Sequence, residues 1–198
     1  DCVPLICLHK GMLLLVEGKK KEAETFLTKV EEQNFSSIRI KELLFYSFLK
    51  LNKKNKAEKF FKEMSLKDSN LKPYRMSYFL NNDYLLNPIK TQKDGLAETL
   101  YNISSWYYQK NFLKYSIFFG KLSLRIRPNF NAMKLLVANA LEEIGYEQLA
   151  IELISNVNKR NLYFMKFIKL KNSLQENSLF EKQLLDDLKN LSKTFPKN

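Results

Sequence analysis

Apolar residues recur at three- and four-residue spacing along most of the chain, which is the period of an amphipathic helix. Between Asn131 and Val157 the pattern runs twice and breaks at Gly145. That stretch predicts two helices joined by a tight turn, with small Ala138 and Ala150 where the helices cross closely. The arrangement returns elsewhere: Ala23 and Ala57 lie 34 residues apart, as do Ser116 and Ala150, and Pro128 and Pro196 lie at twice that distance. These offsets share one phase and define five frames, 4–37, 38–71, 97–130, 131–164 and 165–198. In each, a first helix of about 14 positions is expected, then a turn near position 15, then a second helix. Gly18 and Gly145 hold position 15 in two frames and Asn52 and Asn111 in two others. Both residue types tolerate the left-handed backbone that ends a helix. A single hairpin leaves an apolar outer stripe exposed, so each must be covered by its neighbour.

Residues 72–96 break the period. Pro73, Asn81-Asn82-Asp83, Asn87-Pro88 and Asp94-Gly95 are turn signals in series, with one short helix expected over Tyr74 to Leu80. Tyr78, Phe79, Tyr84, Leu85 and Leu86 are too apolar for a free linker, so an ordered insertion between two repeat blocks is expected. Asp94 is expected to cap a helix starting near Leu96, with Glu98 supplying favourable charge in its first turn.

The frames resemble the tetratricopeptide repeat, a 34-residue helix-turn-helix unit with small residues at positions 8, 20 and 27, a bulky one at 24 and often Pro at 32. Gly11, Ala23 and Leu27 match in the first frame, and Ala138, Ala150 and Ile154 in the fourth. Ser104, Ser116, Ser123 and Pro128 match in the third, although Gly120 stands where a large side chain is expected. Ala57 and Phe61 match in the second, which departs at Phe45, where a small residue is usual. The fifth has Asn172 and Leu184 at small positions and only Leu184, Leu188, Leu191 and Pro196 in its favour, and reads as a degenerate repeat or capping helices. GLAETLYNIS at 95–104 and LRIRPNF at 124–130 look like the middle of larger bacterial tetratricopeptide proteins. The resemblance implies an all-α, right-handed α-α superhelix: two repeats in 4–71, an insertion over 72–96, two repeats in 97–164, and a fifth or cap in 165–198.

Composition agrees with a helical chain: 198 residues, 45% hydrophobic, only five Gly and five Pro. The net charge of +12 suggests nucleic acid, but it divides as +4 over 1–71, +2 over 72–96, +3 over 97–164 and +3 over 165–198. Lysines interleaved with glutamates in this way read as solvated helix faces. Cys2, Cys7 and the single His9 fall short of a four-ligand zinc site, and the two cysteines read as small buried hydrophobes. The run Val3 to Val16 is too short to span a bilayer and has no positive leader segment or cleavage site. Beginning at Asp1, the chain reads as a processed protein or a fragment, and its compartment is left open between cytoplasm and bacterial envelope.

No phosphate loop, nucleophile elbow or paired metal ligands occur, and one histidine leaves few general-base schemes. Adjacent Glu142 and Glu143 point about 100 degrees apart on a helix and cannot address one substrate. The expectation is a non-catalytic protein-protein interaction scaffold without cofactor or metal. By the resemblance, partners bind near positions 2, 5, 9 and 12 of each first helix. These give Leu5, Leu8, Met12 and Leu15, then Glu42, Tyr46 and Leu49, then Glu98, Tyr101, Ser105 and Tyr108, then Leu135, Asn139 and Glu142. Tyr46, Tyr101, Tyr108, Leu135 and Asn139 are the candidate peptide contacts. The clamp for chaperone C-terminal carboxylates needs Lys and Asn where this chain has Leu8 and Met12, which excludes that mode. Lys19, Lys20 and Lys21 align one frame away with Lys53, Lys54 and Lys56, giving a basic edge that an RNA phosphate chain or a membrane surface would meet. That edge carries the alternative function, an RNA-binding or envelope-assembly subunit. A plain spacer within a longer array is the third reading.

Overall fold

The computed structural model describes residues 3–33, 37–67, 71, 74–155 and 161–174, and among them every regular element is helical. In order these are α1 (Pro4–Val16), α2 (Lys20–Glu31), α3 (Ile38–Lys50), α4 (Lys54–Lys67), α5 (Tyr78–Asn81), a 3-10 turn (Asp83–Leu86), α6 (Gln92–Gln109), α7 (Leu113–Ile126), α8 (Asn131–Glu143), α9 (Glu147–Ser155) and α10 (Phe164–Leu174). Helices α1, α3 and α8 begin where their frames begin. The four turn residues all take the left-handed conformation, Gly18 and Gly145 at φ 79°, Asn52 at 59° and Asn111 at 60°. The rest of the fifth frame, with Leu184, Leu188, Leu191 and Pro196, lies outside the described residues, as do Cys2 and Pro73. Cys7 is buried, as its reading as a small hydrophobe expects, and its sulfur is disulfide-bonded. A bonded sulfur is as small and apolar as a free one, so the surrounding sequence does not distinguish them.

Chain contacts divide the protein into two units, Asp1–Leu100 with Arg125–Pro128, and Tyr101–Leu124 with Asn129–Asn198. In the first unit α1 packs on α2 and α3 on α4. Gly11 lets α1 approach α2 closely: a methyl group there would sit 2.7 Å from Leu27 Cγ. Ala23, Leu27 and Ala57 are fully buried at the crossings. Lys53 pairs with Glu24 at 2.8 Å and Lys56 with Glu31 at 2.7 Å, so the start of the second hairpin's second helix is tied to α2. Phe45, too large for its repeat position, finds its space in an aromatic cluster, 5.6 Å from Phe61 and 5.5 Å from Phe79 of the insertion. The insertion thus contributes Phe79 to the core of the first unit beside α3 and α4.

Two details of the insertion differ from expectation. Its helix is α5, starting at Tyr78, because an irregular stretch and a turn occupy 74–77. Helix α6 starts at Gln92, with Thr91 as its cap. Asp94 N–H donates to Thr91 Oγ1 at 3.1 Å while Thr91 N–H donates back to Asp94 Oδ2 at 2.9 Å, a reciprocal capping box. Asp94 thus lies inside the first turn of this helix.

In the second unit α8 packs on α9, and α10 packs on both. Ser104 Oγ donates to the Ser116 carbonyl at 2.8 Å, joining α6 to α7 where both side chains are fully buried. Ala138 and Ala150 are likewise fully buried. Gly120 is explained by its neighbour: an added Cβ would lie 2.2 Å from Val137 Cγ2, so Val137 of α8 fills the space that a large residue on α7 would take. The first helices of successive hairpins are also bridged. The Tyr108 hydroxyl of α6 donates to Glu143 of α8, and the Ser173 hydroxyl of α10 donates to Glu142 of α8 at 3.0 Å.

Gly120 and Gly145 separate two kinds of glycine requirement. Gly120→Ala is expected to cost about 1–3 kcal/mol through overpacking against Val137. Gly145→Ala has open space around its Cβ and is expected to cost about 1–2 kcal/mol through its left-handed backbone alone. Urea unfolding measures both, and Gly145→Asn, which copies Asn52 and Asn111, should recover much of the second loss while Gly120→Asn recovers none of the first.

Candidate functional site

The first-helix positions behave differently in the two units. In the first unit they are covered. Leu8 and Met12 of α1 are fully buried, Leu5 is partly exposed, and on α3 Arg39, Glu42 and Tyr46 are all buried. Tyr46 is only 7% exposed, so it does not offer the open aromatic platform expected of it. What covers α3 is the chain itself: the 3-10 turn packs along it, and Leu85, Leu86 and Ile89 are buried there. Asp83 pairs with Lys50 at the end of α3 at 2.7 Å, and with Lys90 at 3.3 Å. Burial raises the Asp83 carboxyl, but the two ammonium groups outweigh it and hold the pKa below its ordinary value.

At the other end of this segment the Arg39 guanidinium uses all five of its N–H donors. Nε and Nη2 donate to the two oxygens of Glu98 at 2.9 and 2.7 Å, in bidentate geometry. Nη1 donates to Glu42 Oε2 at 3.0 Å and to the Leu86 carbonyl at 2.8 Å, and Nη2 also donates to the Asn87 carbonyl at 2.8 Å. Asn87, left-handed at φ 45°, turns the chain so that two successive carbonyls face one cation. Pro88 follows, and its carbonyl accepts from Arg127 Nη2 at 2.8 Å, while Arg127 Nε pairs with Asp94 at 3.0 Å. Glu98 is fully buried in this network, which corrects its reading as a favourable first-turn charge. His9 stands within the field of Glu98. Burial holds its pKa below 6.5, and the carboxylate offsets this only in part.

In the second unit the equivalent positions are open to solvent to an intermediate degree. Tyr101 packs at 5.5 Å on the fully buried ring of Phe130. Tyr108 is held by Glu143; burial first, and then that hydrogen bond, push its pKa well above the ordinary tyrosine value. Leu135 and Asn139 of α8 are half-buried, and the Asn139 amide has no hydrogen-bond partner among the described residues. The basic edge is half neutralised. Lys19 pairs with Glu17, Lys53 with Glu24 and Lys56 with Glu31, while Lys20, Lys21 and Lys54 are exposed with no carboxylate in ion-pairing range among the described residues.

Among the described residues no helix is long and apolar enough to cross a membrane, and no three His, Cys, Asp or Glu side chains are grouped to hold a metal ion. Comparison with family models, curated proteins and solved structures yields no match.

Removing Arg39 while Glu42 and Glu98 stay buried is expected to cost about 3–5 kcal/mol, because two carboxylates lose their counter-charge together. Replacing all three by apolar residues of similar volume should recover most of that loss. Urea unfolding of Arg39→Ala and of the triple variant checks both statements. A second outcome concerns acid. Folded His9 holds its proton less tightly than unfolded His9, so the unfolded chain gains protons first as pH falls. The stability present above pH 6.5 therefore declines as pH drops through that value towards the lower folded pKa. His9→Gln should flatten the stability profile in this window.

Proposed function

We propose that the protein is a non-catalytic interaction scaffold of tetratricopeptide type, stacked as a right-handed superhelix, which binds an extended protein segment on its first-helix face. The observation that carries this reading is the segment Asp83–Lys90. It lies along α3 with two successive backbone carbonyls accepting from Arg39 and with Leu85, Leu86 and Ile89 buried. A first helix of this chain thus already holds a non-repeat segment of its own chain, a 3-10 turn followed by irregular backbone. The matching positions on α6 and α8 are partly exposed, and none of the described segments lies along them in this way. Tyr101, Tyr108 and Leu135 offer apolar area there, and the Asn139 amide is free to pair both ways with a peptide unit. Tyr46 takes no part, being buried. The alternative reading, RNA or envelope binding through the lysine edge, is weakened because three of its six cations are already paired.

A random linear peptide library, displayed and selected for binding to the chain, supplies the probe. Selected peptides should shift the amide resonances of α6 and α8. Alanine at Tyr101, Tyr108, Leu135 and Asn139 together should weaken binding by about 2–4 kcal/mol, in the range of a small hot-spot cluster, with the helical circular dichroism unchanged. Resonance shifts confined to other helices, or an unaltered affinity in the fourfold variant, would overturn the assignment.

A further inference from the structure

Between Tyr101 and Leu124 the chain carries Lys110, Lys114 and Lys121 and no acidic residue. In the same stretch Trp106, Phe112, Tyr115 and Phe118 are each more than half exposed, at 53%, 53%, 58% and 57%. Large apolar side chains exposed singly are ordinary, but here the rings touch. Trp106 meets Tyr107 edge-on at 5.0 Å; Tyr107 stacks on Phe119 at 5.4 Å and on Tyr115 at 5.3 Å; Phe118 meets Phe119 edge-on at 5.3 Å. The result is one continuous aromatic surface. At 100 degrees per residue, Tyr115, Phe118 and Leu122 form a stripe along the outer side of α7, Phe112 precedes its first turn, and Lys114 and Lys121, seven residues apart, follow one edge of the stripe. Buried Ser116, Ile117, Gly120 and Ser123 occupy the opposite side, against the protein.

From this geometry we propose that the outer face of α7, with Trp106 beside it, docks on the surface of an anionic phospholipid bilayer. Ring bodies enter the acyl boundary while the lysines stay among the phosphates, the division of labour found in helices that lie in the interface plane. Charge complementarity selects an anionic partner, since all three cations are exposed and no carboxylate lies within the stretch. Tyr107, stacked on Phe119 and Tyr115 at interplanar angles of 6° and 25°, ties the exposed rings together from beneath. The apolar stripe also lies on the outward side of a helix, a shape that suits a soft planar surface. This face is separate from the peptide-binding positions on α6 and α8, and neither proposal depends on the other.

Trp106 is the only tryptophan of the chain and reports directly on its own environment. With the 198-residue chain and vesicles of phosphatidylglycerol and phosphatidylcholine in equal parts, its emission should shift to the blue and resist quenching by acrylamide. Neutral phosphatidylcholine vesicles should leave it unchanged. Lys114→Glu with Lys121→Glu, and separately Phe112→Ser with Phe118→Ser, should each lower vesicle co-sedimentation tenfold or more while thermal unfolding stays as in the parent. An unshifted emission on anionic vesicles, or full binding by both double variants, overturns the proposal. So does an oligouridine 20-mer that quenches Trp106 in a salt-dependent manner when vesicles do not, and so does self-association abolished by the phenylalanine pair in place of vesicle binding.

Discussion

The first unit depends on a guanidinium that water cannot reach. Desolvating an arginine costs several kcal/mol, and that cost is offset only when every N–H finds an acceptor and the charge finds a counter-charge. Arg39 meets both conditions by drawing on three separate parts of the chain. Glu42 comes from its own helix, Glu98 from the start of α6, and two carbonyls from the turn between the 3-10 segment and Pro88. Each donor fixes one direction, so the position of the first turns of α6 against α3 and the path of residues 86–88 are specified together. The aromatic cluster of Phe45, Phe61 and Phe79 supplies area and little direction; the ion network supplies direction.

The periodic part of the fold was legible in the sequence because it is local. A left-handed residue at the fifteenth position, flanked by apolar stripes of helical period, is written into each of four frames separately. Gly18, Asn52, Asn111 and Gly145 show this directly. The departures were legible as departures but not as solutions. Gly120 and Phe45 look like defects until Val137 and Phe79 are seen to complement them, and those partners lie 17 and 34 residues away. The capping box at Thr91 is a local Thr-x-x-Asp signature, but it overlaps the turn signal Asp94-Gly95, which alone predicts a later helix start.

The candidate site divides along the same line. Helical register placed Tyr101, Tyr108, Leu135 and Asn139 on one face of their helices. It gave the same standing to Tyr46, Glu42 and Glu98, because nothing in their own frames shows that the 83–90 segment covers the first two or that Arg39, 59 residues away, buries the third. The acid-free aromatic run of α6 and α7 was visible in the sequence too. It leaves no mark on the net charge of residues 97–164, since the glutamates of α8 and α9 share that segment with the lysines of α7.

The distance between Arg39 and Glu98 along the chain has a consequence for how the first unit is made. The pair spans 59 residues, and ordering the loop between them must precede any gain from joining its ends. The two N-terminal hairpins hold mostly near-neighbour contacts and form without that closure, whereas the guanidinium stays hydrated until α6 exists to receive it. On a ribosome α3 is complete well before Glu98 is added. Throughout that interval its inner face, with Arg39, Glu42 and Tyr46, is exposed in the nascent chain. Late closure by the insertion makes this chain's own synthesis the period in which the first unit is most open to chaperones and proteases.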